Sequence, residues 1–499
     1  MPLPDPKTPW PPPEWTDVYD HLTTWDAWYS NDPARLAEAY GGDTGPTMRP
    51  SQLAGGVVGR LSRWFWGTPQ RQAHTHKLHV PVASDIAATS ADLLFAEPPT
   101  IRLPEDVDEA SQTRLAELFG PDTTDVLIEA AEVAAALSGV YLRVGWDRNI
   151  ADRPLVSVVH PDAAIPVFRW GRLVEVTFHR EVERSEGTVW RHLEHHAPGV
   201  VQHALYVGDQ NNLGRLVPLT EHPATVPLVD GLADDGQSIP TNIDSLTATY
   251  VPNARPNRRW RTHPHAYALG RSDFDGIEPL MDALDEAYTS WMRDVRLAKA
   301  RLLVPSSYLE TGGRGGGAWF DADREVFTEL NMLGGKDTPA ISAHQFAIRH
   351  AEHAATCAEL FEQIVRGAGY SAQTFGLTGE IAMTATESNA RERKTLRTRG
   401  KKVRHWRQAL SYLAEVMLAI DNEQFGRSST VAPAEVTFAP AVLETRRERA
   451  EAARMLLDAE AASVKTRVQL VNPDWDEERV NAEVEAITGA RPDAPEDRV

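Results

Sequence analysis

Cysteine is nearly absent: the 499 residues contain one, Cys357. A lone thiol cannot close a disulfide within the chain, so no disulfide scaffold organises the fold. Cys357 lies among Ala354, Ala355 and Leu360 in a helical pattern, which predicts a small buried apolar side chain. Long hydrophobic runs are also missing. No stretch of about eighteen apolar residues occurs, so no membrane-spanning helix is expected, and the opening MPLPDPKTPWPPPEW lacks the apolar segment of a secretory signal. Positive charge is scarce: 51 Lys and Arg against 71 Asp and Glu leave a formal charge of −20. That surplus argues against a sequence-specific DNA binder, whose footprint is basic, and against a membrane-surface protein. It does not exclude a protein that lets DNA pass without holding it. Neither a P-loop nor clustered metal-binding carboxylates can be found, which leaves an ATPase or a metal-dependent nuclease without its chemistry. No cofactor is expected.

What is present is an ordinary folded composition, 42% hydrophobic and 24% charged, with fourteen tryptophans able to anchor cores and interfaces. Length alone suggests roughly two to four modules. Residues 1–15 read as a proline-rich, disordered arm. Residues 16–42 read as helix, with Trp25, Trp28, Leu36 and Tyr40 near one face. Arg60 to Pro69 is a basic, aromatic patch. His74, His76 and His79 follow it without an acid or cysteine nearby to complete a metal site. Val82 to Phe95 predicts a helix stopped by Pro98-Pro99, and Leu103 to Leu137 a second helical block.

The period then changes to two. Val140–Val144, Leu155–Val159, Ile165–Trp170, Leu173–Phe178, Val189–Leu193 and Val200–Val207 are short and rich in β-branched residues. Turn signals such as Trp170-Gly171-Arg172 separate them, which predicts an antiparallel meander. His192, His195 and His196 fall on one strand, where neighbouring side chains face opposite ways, a poor start for a metal site. Ser272 to Val304 predicts a long helix with Ile277, Met281, Leu284, Tyr288 and Trp291 on one stripe. Between it and a second amphipathic helix over Ile341 to Val365 lies a small region with a glycine-rich loop containing Gly313, Arg314 and Gly315. Past residue 440 the pattern is charged helix: Leu443 to Ala462, continued by Val464 to Leu470. A last helix is capped by Asn472 with Pro473 at its first position, and a polar tail follows.

The organising stretch is Gly369 to Ile420. Its first part is rich in Gly, Ser and Thr, the composition of a loop that can change shape. From Thr386 a long helix is expected, with Leu396 one heptad ahead of Val403, and Val403, Trp406, Leu410, Leu413, Met417 and Ile420 at alternating spacings of three and four. Its first half is densely basic: Arg391, Arg393, Lys394, Arg397, Arg399, Lys401, Lys402, Arg404 and Arg407 against one acid, Glu392. Such a segment repels itself unless it meets counter-charge from an acidic neighbour or phosphate. A solvated face or an interface to acidic subunits is the expected use, ahead of steady nucleic-acid contact, because the rest of the chain is strongly acidic.

Three segments together carry a resemblance: Ala268 to Pro305 (ALGRSDFDGIEPLMDALDEAYTSWMRDVRLAKARLLVP), His350 to Gly376 (HAEHAATCAELFEQIVRGAGYSAQTFG) and Gly379 to Arg399 (GEIAMTATESNARERKTLRTR). Ser84 to Ile101 adds to it. In this order they resemble the portal (connector) proteins of tailed double-stranded DNA phages, most closely those of actinobacteriophage type. The resemblance implies an α+β portal fold and a closed ring, typically of twelve subunits, at one capsid vertex. Double-stranded DNA would be packaged and ejected through the ring without sequence specificity.

The resemblance also implies parts. Residues 16–271 would be the wing, 272–304 and 341–368 the stem helices, and 305–340 the clip. Residues 369–387 would be the tunnel loop, 388–440 the long wing helix with its connector, and 441–490 the crown, followed by a disordered tail at 491–499. Ser371, Gln373, Thr374, Thr378, Glu380 and Thr384 would line the channel. The basic helix would meet Asp282, Asp285 and Glu286 of the next subunit. Implied partners are the terminase large subunit, a head–tail adaptor or neck protein, and the major capsid and scaffolding proteins, with no membrane. The implied location is the virion, and the host cytoplasm during assembly. The physics agrees with a conduit: duplex DNA carries a charge about every 1.7 Å, and a lysine-lined wall would hold it fast. The rivals are another capsid or neck component, or, on the histidines, a metal-dependent enzyme.

Overall fold

The computed structural model describes residues 3–39, 78–297, 348–376, 385–440, 446–472 and 475–489. It also describes the strand segments 301–303, 310–311, 318–319 and 342–344. The chain divides into two compact units, Met1–Phe438 and Ala439–Val499.

The first unit opens with an arm that corrects the expectation of disorder. Residues 3–15 are docked on the 209–214 turn. The Lys7 N–H donates to the Gly214 carbonyl (2.6 Å), the Trp10 N–H to Asn211 (2.9 Å), and the Leu213 N–H to Thr8 (2.9 Å). Lys7 and Trp10, being non-prolines, keep the N–H donors used here. Trp10 is buried and meets the Arg191 guanidinium at 5.9 Å, while Tyr206 donates its hydroxyl to the Pro4 carbonyl.

Helix α1 (Thr16–Tyr29) buries Val18, Leu22, Trp25 and Trp28 along one stripe. The single helix expected over 16–42 is interrupted: Asn31 takes φ +53° before α2 (Pro33–Ala39). Tyr40 lies outside the described residues. Helix α3 is Val82–Phe95. The helical block expected from Leu103 to Leu137 consists of two helices. Helix α4 (Glu109–Leu118) is capped by Asp108, which accepts from the Ser111 N–H. Helix α5 (Pro121–Leu137) starts on Gly120-Pro121, a stop and start that the composition contained.

Two antiparallel sheets follow. The first has the order β10–β2–β3 and the second β4–β5–β6–β7–β8, with β9 also on β7. Their strands are β2 (Gly139–Gly145), β3 (Leu155–Val159), β4 (Ala164–Arg169), β5 (Arg172–Ser185), β6 (Thr188–Ala197), β7 (Val200–Gly208), β8 (Arg215–Val217), β9 (Ser238–Pro240) and β10 (Ala248–Pro252). Strand β1 (Thr100–Arg102) pairs with β15 (Glu435–Thr437), which closes the first unit's chain back on itself. Strands β5 and β6 run past their expected ends through the mostly polar residues 179–185 and 194–197, which give little apolar signal.

The expected helix over 272–304 is shorter. Residues 272–277 form a turn, because Ser272 spends its hydroxyl on the Ala136 carbonyl and the Phe274 N–H. Helix α6 is Glu278–Leu297. Arg301–Leu303 is strand β11, paired with β14 (Ser342–His344), so the second helix also starts late, as α7 (His350–Ala368). The smaller pair β12 (Glu310–Thr311) and β13 (Ala318–Trp319) lies between them in sequence. Helices α6 and α7 are antiparallel. Gly367 abuts Ile277 so closely that a Cβ would lie 2.4 Å from the Ile277 side chain. At the other end Asp294 takes Arg349 (2.8 Å) and His353 (3.0 Å), and Trp291 stacks on His353.

Helix α8 (Ala385–Phe425) has 41 residues, about 60 Å at 1.5 Å per residue. The seam residues Val403, Trp406, Leu410, Leu413, Met417 and Ile420 are all buried in the continuous core of this unit. Near its end even Asp421 is buried, held by the Arg114 guanidinium through two contacts of 2.8 Å. The second unit has its own helices: α9 (Arg446–Asp458), α10 (Val464–Val471) and α11 (Glu477–Gly489). Glu460 at φ +52° and the Ser463 cap separate the first two, so Val464 to Leu470 does not continue the preceding helix. The last helix is capped by Asp476, which accepts from the Arg479 N–H, and not by Asn472.

Candidate functional site: the basic helix and the foot of the small-residue loop

The cations of α8 divide by face. Lys402 points inward and is 2% exposed. Its ammonium donates to Asp273 (2.5 Å), Ser90 (2.6 Å) and the Tyr370 hydroxyl (2.9 Å). Asp273 also accepts from Tyr370 (2.7 Å) and from the Asn253 amide (2.8 Å). Besides the Asn253 segment, four segments therefore meet in one buried network around Lys402 and Asp273: α3 through Ser90 on the ammonium, the turn before α6, the end of α7 through Tyr370, and α8. Burial lowers the Lys402 pKa, and the Asp273 charge opposes that shift. Burial first, then Asp273, holds the Tyr370 hydroxyl well above its ordinary value. Such a network is favourable only because each member is satisfied.

Two further cations serve their own subunit. Arg399 donates to the Leu93 carbonyl and Lys394 to the Arg366 carbonyl. Arg393, Arg397, Lys401, Arg404 and Arg407 stand exposed. Among the described residues none of these five takes part in an ion pair.

The small-residue loop starts from a rigid foot. Helix α7 ends at Gly369, φ +108°, a conformation favoured by glycine, where a Cβ would also approach Thr398 to 3.0 Å. The Tyr370 N–H returns to Val365 (2.9 Å) and the Gly369 N–H to Arg366 (3.3 Å), closing the helix end. Thr398 donates to the Gly369 carbonyl (2.6 Å), and Thr395 accepts from the Ser371 N–H (2.9 Å) and bonds Thr374 (2.8 Å). The loop's first residues are thus stitched to the same helix that carries the cations. The side chain of Gln373 is half-buried beside them.

The phage portal protein family of the SPP1 Gp6-like type matches residues 12–490. The chain belongs to the phage portal family. It is a virion-associated connector of the capsid, and its family is structural. Solved structures to which it is similar include the neck of a native GTA particle computed with C12 symmetry. That match has 14% identity and TM-score 0.43, covering 88% of this chain and 97% of that one. The neck of an empty GTA particle computed with C6 symmetry gives 16%, 0.43, 87% and 97%. Comparison with curated proteins gives no match.

The portal residues singled out from sequence fall into three groups. Ser371, Gln373 and Thr374 sit at the loop's foot, in or beside the turn Ala372–Phe375. Thr378, Glu380, Thr384, Gly313, Arg314, Gly315 and the Arg391 side chain lie outside the described residues. The basic set is corrected in part. Lys402 is buried within its own subunit and cannot face a neighbour, and Arg399 and Lys394 bond inside the subunit too. The expected acidic partner Asp285 is likewise spent: it is 4% exposed and accepts from the Val80 N–H (2.9 Å) while pairing with His79 (2.8 Å). The other strand histidines are engaged locally. His192 bonds His203, His195 bonds Thr177, and His196 bonds Thr247 and Glu194. Among the described residues no group of three or more His, Cys, Asp or Glu could hold a metal, and no helix is long and apolar enough to cross a membrane.

Sequence reasoning missed Asp273, Tyr370 and Ser90. A signal existed: Arg399 falls at a seam position between Leu396 and Val403, and Lys402 lies one turn before Trp406. A cation on the apolar side of a helix needs a buried acceptor, a carbonyl for Arg399 and an acid for Lys402.

Proposed function

We propose that copies of this chain close into a ring around a channel that conducts double-stranded DNA into the capsid and out again. The observation that carries it is the outer row of α8. Five exposed cations without a described ion-pair partner lie on one long helix of a chain whose net charge is −20. A closed ring needs a heterologous contact, one patch against a different patch on the next copy, and this row supplies the basic half. Acids on the neighbour, with Glu286 and Glu359 among the exposed ones on α6 and α7, supply the other. Spending the cations between subunits also keeps them off the DNA, which a conduit must not grip.

In this reading the two sheets with α1–α5 and most of α8 are the wing, and α6 and α7 the stem. The segment between them is the clip, residues 369–387 the tunnel loop, and the second unit the crown. Arg393, Arg397, Lys401 and Arg404 are the interface residues. Ser371, Gln373 and Thr374 fix the foot of a loop whose Thr378, Glu380 and Thr384 face the bore. The clip, with Gly313, Arg314 and Gly315, meets the terminase large subunit and then the head–tail adaptor. The wing and crown meet capsid and scaffolding proteins. The ring has about twelve subunits. It assembles in the host cytoplasm, does no chemistry and needs no cofactor.

Negative-stain images of the purified chain viewed down its axis test this reading. Closed rings with a central hole are expected, and a chain that remains single at high concentration refutes it.

A further inference from the structure

Strands β4 and β5 are joined by two residues, Trp170 and Gly171, at φ +53° and +74°. Consecutive left-handed residues make the tight hairpin turn that Asn-Gly or Asp-Gly ordinarily fills. Three unfavourable choices coincide at this tip. A bulky tryptophan occupies a left-handed position. Its ring is 95% exposed, the most exposed of the large apolar side chains in the described residues. Arg169 and Arg172 lie directly opposite each other in the register, both exposed, and like charges so placed repel. Tyr267, 40% exposed, lies beside the tip and directs its hydroxyl at the Phe168 carbonyl. Among the described residues Trp170 makes no ring stack, cation–π contact or side-chain hydrogen bond, and Arg169 has the Glu175 charge on β5 near it. Tryptophan, tyrosine and arginine are the residues that anchor protein interfaces.

We propose that this tip is a docking knob that seats Trp170 on an acid-rimmed surface of the next copy of the chain. The proposal rests on the ring reading above and adds a second contact, distinct from the α8 row. Charge complementarity selects the occupant. Two arginines around one indole fit the acidic surface that a chain of charge −20 presents to its neighbour, and the contact is heterologous, knob to patch. Duplex DNA would also attract the arginines, but it would meet the repulsion of the same acidic chain.

The test compares the wild-type chain with Trp170→Asn and with Arg169→Glu/Arg172→Glu by mass photometry over a concentration series. Trp170→Asn is the informative change, because asparagine suits the left-handed position and leaves the turn at least as stable. Its melting temperature should equal or exceed the wild-type value, while the concentration at which half the subunits are in rings rises at least about tenfold. The double charge reversal should act in the same direction, and more strongly at low salt. Unchanged ring formation in both variants overturns the knob and leaves the ring reading standing. Unchanged rings with lost retention of duplex DNA assign the tip to nucleic acid and also overturn it. A wild-type chain that never forms rings overturns the ring reading, and with it the knob's occupant.

Discussion

Lys401 and Lys402 are neighbours in sequence with identical chemistry and opposite situations. Lys401 stands in solvent, while Lys402 is 2% exposed and bound to Asp273, Ser90 and Tyr370. The two faces of α8 repeat the contrast. The inward face uses its cations to lock four segments of one subunit. The outward face keeps Arg393, Arg397, Lys401, Arg404 and Arg407 available. Charge density along a helix therefore does not reveal its purpose; the rotation of each residue about the axis does.

The contrast can be broken hardest at Lys402. Replacing it with methionine strands the Asp273 carboxylate in the interior, and removing one partner of a buried pair costs about 3–5 kcal/mol. Denaturant unfolding should show that loss. Adding Asp273→Asn should restore much of it, because both charges are then gone.

Acidification probes a second set of buried ionisable groups, in the larger sheet on β5, β6 and β7. Burial holds His192 down at about 3 and His179 at about 4, and lowers His203 as well. The unfolded chain takes up protons near pH 6.5, so below that pH it binds more protons than the fold does. Stability is therefore lost as pH falls from 6.5 toward 4. A melting temperature lower by at least about 5 °C at pH 5.5 than at pH 7.5 is expected. Converting His192 to glutamine should flatten the slope.

Gly369→Ala is smaller. It forces a Cβ into a left-handed position beside Thr398, at about 1–3 kcal/mol. It should loosen the loop's foot without touching the outer row, so hydrogen exchange should rise first at Ser371 to Phe375.

Much of the fold was legible because its elements have clear periods. Val82–Phe95 and Leu155–Val159 lie where the apolar pattern ends, and the α8 seam is buried from residue 403 on, while Leu396 at its start is only half-buried. The misses have physical causes. The arm looks disordered because prolines dominate it, yet Lys7, Thr8 and Trp10 supply the backbone groups that dock it. The first helix of the antiparallel pair starts late because Ser272 and Asp273 are drawn into buried hydrogen bonds with distant segments, which no local pattern records. The second starts late because Ser342–His344 pairs with Arg301–Leu303, a partner some forty residues away. The outer cations were legible as a group. The separation of Lys402 and Arg399 from them had only the helical-seam position as a signal and that of Lys394 had none, because their acceptors at Asp273, Leu93 and Arg366 lie on other segments.

The smallest change in stability should accompany the largest change in assembly. In Arg397→Glu/Lys401→Glu only the outward row is altered, so the melting temperature should stay within about 2 °C of wild type. Mass photometry of this variant beside wild type and Lys402→Met, at one concentration and one salt, is the most direct test. The division of faces requires rings from wild type and single, fully folded subunits from the charge reversal. Lys402→Met should lose stability and still form rings wherever it remains folded. Rings from the charge-reversed chain at wild-type abundance would contradict the account.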